Sequence, residues 1–70
     1  MERQQVSSST IRSIGYDSQS AILEVEFLSS SIYRYFNIPD HLHKSLLIAS
    51  SKGSFLNNYV KYSYRYVKIK

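Results

Sequence analysis

An α+β domain is what this seventy-residue chain predicts, from three features of its pattern. Apolar and polar residues alternate with period two between Ser9 and Phe36, a helix signal follows at Pro39, and the period returns to two after Tyr62. The expected architecture is a three-stranded antiparallel meander over residues 9–36 packed against one helix. A short second helix and a C-terminal strand or arm follow it. Met1–Gln5 reads as a polar tail and residues 6–70 as a single domain, because a chain of this length supports one core.

Ser9 to Tyr16 is the first predicted strand. Ile11 and Ile14 break strict alternation, and a bulge near Arg12-Ser13 returns both to one face. Asp17-Ser18-Gln19-Ser20 reads as a turn in which the aspartate bonds its own backbone. Ala21 to Leu28 is the clearest strand: Leu23, Val25 and Phe27 alternate with Glu24 and Glu26, as on a half-buried antiparallel strand. In the third strand, Ile32 to Phe36, Tyr33 and Tyr35 share one face and Arg34 takes the other. A three-residue loop after Leu28 is expected to set Phe27 opposite Tyr33 and Glu26 opposite Arg34.

Ile38-Pro39-Asp40 places proline at the first helical position and an acid in the first turn. Leu42, Leu46 and Ala49, with Leu47 beside them, make the stripe that packs, and the helix is expected to end near Ser50. Ser51 then reads as the N-cap of a short helix carrying Phe55, Leu56, Tyr59 and Val60. Beyond it, Tyr62, Tyr64 and Tyr66 fall on one face of the predicted last strand, Tyr64 to Ile69, with Val67 and Ile69 on the other.

Charge is divided unevenly. Five bases (Lys52, Lys61, Arg65, Lys68, Lys70) and no acid follow Ser51, whereas four bases and five acids precede Lys52. The net charge of +4 therefore sits in the last nineteen residues, which points to an anionic partner, nucleic acid first, or to a solubilising surface. With no cysteine there is no disulfide and no thiolate metal site. No segment has the roughly 20 apolar residues of a membrane span, and the N-terminus lacks an apolar signal core. A cytoplasmic protein is expected.

Catalytic chemistry finds no support. No serine sits in a nucleophile elbow, Glu24 and Glu26 lie on a strand face without an apolar pocket, and His41 and His43 are too close in sequence to chelate. No cofactor, metal or small-molecule substrate is expected. Two other features stand out. Tyr33-Arg34-Tyr35 and Tyr64-Arg65-Tyr66 interleave aromatic rings with cations, as single-strand binders do, although tyrosine also suits a packed strand. Ser51-Lys52-Gly53-Ser54, at a predicted helix start, suits an anion, and suits equally an ordinary cap with Gly53 in a tight turn.

Taken in order, the motifs resemble the KTSC domain family. They are Val6-Ser7-Ser8-Ser9, Ile14-Gly15-Tyr16-Asp17, Leu23-Glu24-Val25-Glu26-Phe27, Tyr33-Arg34-Tyr35 with Ile38-Pro39, Ser51-Lys52-Gly53-Ser54-Phe55-Leu56-Asn57 and Tyr64-Arg65-Tyr66. The family occurs at the C-terminus of some lysyl-tRNA synthetases and as small bacterial and phage proteins. Arg65 stands where the family pattern leads us to expect proline, which restores a backbone donor to the last strand. The resemblance implies no enzymatic activity and suggests RNA or tRNA as a partner. The expectation is a non-catalytic module that binds RNA through Lys52, Lys61, Tyr62, Tyr64, Arg65, Tyr66, Lys68 and Lys70, with Tyr33, Arg34 and Tyr35 added. A protein–protein or self-associating domain is the alternative.

Overall fold

The computed structural model describes residues 1–70 as one five-stranded antiparallel sheet and two helices. The strands are β1 (Arg3–Gln5), β2 (Ile11–Asp17), β3 (Ile22–Phe27), β4 (Ile32–Tyr35) and β5 (Tyr66–Lys68), ordered in space as in sequence. The helices α1 (Asp40–Ile48) and α2 (Lys52–Tyr59) lie between β4 and β5 in the chain. The α+β class holds, but the sheet has two strands more than the expected three. Part of the segment read as a tail pairs with β2, and the C-terminal segment pairs with β4. Strand β1 consists of Arg-Gln-Gln with no apolar residue, so no hydrophobic pattern announces it.

The bulge falls at Arg12. Ile11 lies opposite Phe27 and Ser13 opposite Glu26, leaving Arg12 as the extra residue and burying both Ile11 and Ile14. In the β2–β3 turn, the Asp17 carboxylate accepts from the Gln19 N–H (3.1 Å) and the Ser20 hydroxyl (2.7 Å), and Ala21 closes the turn at φ 57°.

Between β3 and β4 the loop is three residues long, as expected, but begins one residue earlier. Ser30 N–H donates to Phe27 O and Phe27 N–H to Ser31 O, so Leu28, Ser29 and Ser30 form the loop. Ser30 takes the left-handed conformation (φ 76°) that closes a three-residue hairpin. The register is therefore two residues from the predicted one: Val25, not Phe27, faces Tyr33, and Glu24, not Glu26, faces Arg34. Face assignments survive because the shift is even.

Both helices pack on one face of the sheet. Ile11, Ile14, Leu23, Val25 and Tyr35 from the strands meet Ile38, Leu46 of α1, Leu56 of α2 and Val60. Each such fully buried aliphatic side chain contributes roughly 1.5–3 kcal/mol. Pro39 is the N-cap of α1 rather than its first residue, and Ser51 caps α2 by accepting from the Ser54 N–H at 3.4 Å. Gly53 is needed for close approach rather than for a turn: a Cβ there would stand 2.9 Å from Thr10 Oγ1. No helix is long and apolar enough to cross a membrane.

Candidate functional site

Three tyrosines of the two Tyr-Arg-Tyr motifs converge, though not as the period predicted. Pairing of β4 with β5 sets Tyr35 opposite Tyr66 and Tyr33 opposite Lys68, all on the helix side of the sheet. The ring centroids of Tyr33 and Tyr66 are 5.7 Å apart, those of Tyr35 and Tyr66 5.8 Å, and those of Tyr33 and Tyr35 6.4 Å. Phe27 meets Tyr33 edge-on at 5.6 Å. The helices cover this face only in part, so Tyr35 is buried while Tyr66 remains 49% exposed.

Beside the rings lies a groove of about 730 Å³ between the end of the sheet and α2. Tyr33, Tyr35 and Tyr66 border it on the sheet side, Ser51, Gly53 and Ser54 at the start of α2, and Lys61 just beyond the helix. Sequence reasoning named all seven of these as site residues but had no means of bringing them together. It missed Phe27, Ser9, Thr10 and Asn57, which also border the groove. Gly53, read from the sequence as a tight-turn residue, instead makes room for the Thr10 side chain.

The remaining expected site residues scatter. Tyr62 lies in the turn after α2 and is 82% exposed, and Tyr64 packs against the core. The three C-terminal tyrosines therefore do not form one strand face, because the chain does not extend until Tyr66. Lys61 lies over the Tyr62 ring at 5.5 Å and Arg65 over the Phe36 ring at 5.7 Å. Lys52 Nζ donates to the Ala49 carbonyl (3.1 Å), closing the end of α1 rather than reaching over the start of α2. Lys70 is exposed at the chain end, its backbone pairing with Ile32.

Arg34 belongs to the other face. Its Nε donates to Glu24 Oε1 at 2.7 Å, while Arg3 holds the second carboxylate oxygen. Glu24 is 3% exposed, against 29% and 41% for the arginine side chains. Burial works to raise its pKa, but the hydrogen bonds and charges of Arg34 and Arg3 outweigh that and hold it below the usual range. Ser13 completes the network, accepting from Arg3 Nε (3.0 Å) and donating to Glu26 (2.8 Å). Gly15 faces Arg3 in the pairing, and a Cβ there would stand 2.7 Å from the Glu2 carbonyl.

Every ion pair uses a base from the first part of the chain: Arg3, Arg34 or Lys44. None of the five C-terminal bases has an acidic partner, so their charge is uncompensated. Of the histidines, His43 stacks on Tyr16 with ring centroids 4.4 Å apart, and His41 is exposed. No group of three His, Cys, Asp or Glu side chains comes together that could hold a metal.

The KTSC domain profile matches residues 7–64. The chain belongs to the KTSC domain family. A KTSC domain protein from Yersinia pestis has a crystal structure that superposes with a TM-score of 0.95 at 39% identity, covering 99% of this chain and 97% of that one. An uncharacterized protein of Stutzerimonas stutzeri is 44% identical over 70 residues, 99% of each chain. A lysine–tRNA ligase of Nostoc punctiforme is 31% identical over 61 residues, which is 87% of this KTSC domain but 11% of the ligase.

Proposed function

We propose that this KTSC domain is a non-catalytic module that binds single-stranded RNA in the groove beside α2. The observation that carries the reading is the meeting of three tyrosine rings with unpaired cations. Tyr33 and Tyr66 border a groove whose rim holds Lys61, and Lys68 lies opposite Tyr33. Aromatic rings stack bases at roughly 1–3 kcal/mol each and lysines neutralise the phosphates that link them. Arg65, Lys70 and Tyr62 are exposed outside the groove, where the two cations add to the net positive field, and Lys52 adds charge near Ser51, Gly53 and Ser54. The likeness to part of a lysine–tRNA ligase supports an RNA partner and leaves open which RNA.

Titrating labelled protein with short single-stranded RNA at two salt concentrations tests the reading. Binding should weaken with salt, the slope falling by about 0.7 for each phosphate-contacting lysine removed. Lys61→Ala with Lys68→Ala should lower affinity at least tenfold, whereas Arg65→Ala, on the opposite side at Phe36, should change it less. Wild-type affinity in the lysine double variant would sink the proposal.

Self-association through the sheet edges is disfavoured by the edges themselves. β1 is three polar residues long, and Lys68 and Lys70 alternate along the β5 end. Short edges and edge lysines block strand addition.

A further inference from the structure

Tyr35 stands apart from the other groove residues. It is 2% exposed, borders the groove, and its hydroxyl makes no hydrogen bond within the protein, whereas the Tyr16 hydroxyl donates to the Ile38 carbonyl at 2.6 Å. No fully enclosed polar side-chain atom in the protein lacks a partner. The Tyr35 hydroxyl must therefore keep access to open space, and the groove is the cavity that Tyr35 borders. Buried polar groups are ordinarily satisfied, so a ring packed this tightly with a free hydroxyl at the groove marks a place for an outside acceptor.

We infer that the groove takes one unpaired nucleobase, one face of it stacked on the half-exposed Tyr66 ring and an acceptor on its edge read by the Tyr35 hydroxyl. The inference rests on the RNA reading above and narrows it from a charged track to a pocket for a single base. At about 730 Å³ the groove lies within the roughly 300–1,000 Å³ of small-molecule sites and has room for a base together with its ribose and phosphate. Burial, with the neighbouring Tyr33 and Tyr66, pushes the Tyr35 pKa up to about 12, so the group is a protonated donor at neutral pH. A base that supplies the acceptor satisfies the hydroxyl, and one that misplaces it leaves a polar group dry. That is the arrangement that discriminates between ligands most strongly.

The test compares wild type with Tyr35→Phe on the RNA tetramers UUUU, CCCC and AAAA and on a tetramer with two central abasic sites, by NMR titration. Tyr35→Phe should melt with wild type because its hydroxyl has no internal partner, so a folding defect does not confuse the reading. Wild type should prefer one base and bind the abasic tetramer about tenfold more weakly than it. Tyr35→Phe should lose about tenfold on the preferred tetramer, bringing the base-bearing tetramers level, with the salt slope unchanged. Salt-dependent wild-type binding with Tyr35→Phe indistinguishable from it overturns this inference and leaves the RNA reading standing. Abasic binding equal to base-bearing overturns this inference and reduces the RNA reading to its phosphate contacts. Absence of binding to every tetramer overturns both.

Discussion

The two faces of the sheet are built from the same strands and held by opposite physics. On the helix side, Leu23, Val25, Ile14 and Ile11 lose their water to Leu46, Leu56, Ile38 and Val60, a non-directional gain that scales with area. No helix covers the outer side. Glu24 is nonetheless almost fully enclosed there, because Arg34 closes over it from β4 and Arg3 reaches it from β1 across Gly15 of β2. The sheet thus has a dry apolar face and a face sealed by charge. The first should respond little to pH and salt and the second to both. The open end of the helix face, where α2 stops short of Tyr66, is where the groove lies.

The largest way to break this balance is on the helix side. Leu46→Ala removes a fully buried side chain of α1 and should cost about 3 kcal/mol, by the same amount at pH 7 and pH 4, in chemical denaturation. For a domain this small that is a large share of total stability.

Arg34→Ala should cost less, about 2 kcal/mol at pH 7, below the range for fully buried pairs because Arg34 is 41% exposed. Its pH dependence is the sharper signature. Glu24 has its pKa lowered from 4.5 in the folded state, so its contribution is present in full above 4.5 and lost as pH falls through the folded value. The cost of Arg34→Ala should therefore shrink below pH 4.5, while that of Leu46→Ala should not. Equal pH dependence for the two variants would mean the faces do not differ as described.

Tyr16→Phe should cost about 1 kcal/mol, since its hydroxyl bonds the Ile38 carbonyl. The His43 ring stacked on it adds a second acid-linked step. Burial first, with help from Lys44 and against Asp40, lowers its pKa from 6.5, so the folded state favours neutral imidazole. Stability from this site is full above 6.5 and declines as pH falls below it. In urea midpoints measured from pH 8 to pH 5, His43→Phe should remove that upper step and Arg34→Ala should leave it in place.

The smallest effect is a gain. Ser30 is held at φ 76°, a conformation that glycine adopts without strain. Ser30→Gly should raise stability by about 0.5 kcal/mol, because relief of the left-handed strain outweighs the extra chain entropy. It should also keep Arg34 opposite Glu24, as seen in the Arg34 side-chain resonances.

Much of the architecture is legible in the residues. The Ile11–Ile14 spacing calls for the bulge found at Arg12, Asp17 for its turn, and Ser51 for the cap of α2. Sharing of a face by Leu23, Val25, Tyr33 and Tyr35 follows from period two. These are local matters, settled by sterics and hydrogen bonds within a few residues. Strand β1 was not legible, since three polar residues carry no periodicity and are ordered by pairing with β2. Nor was the hairpin register, because shifts of two residues leave every side chain on its face, and the choice fell to the left-handed turn at Ser30 and to the burial of Glu24 between two arginines.

Of the candidate site, the sequence by itself determined the ingredients: tyrosines in strands, a basic C-terminal stretch, and a capped helix start at Ser51. Tertiary structure alone decided which of them meet. It set Arg34 against Glu24 rather than Glu26 and committed Lys52 to the end of α1. It left Tyr62 in solvent, brought Tyr66 beside Tyr33 and Tyr35, and left the Tyr35 hydroxyl without an internal partner. The reason is physical: periodicity fixes the direction of a side chain relative to its own strand or helix, whereas a groove is the space left where elements distant in sequence fail to cover one another.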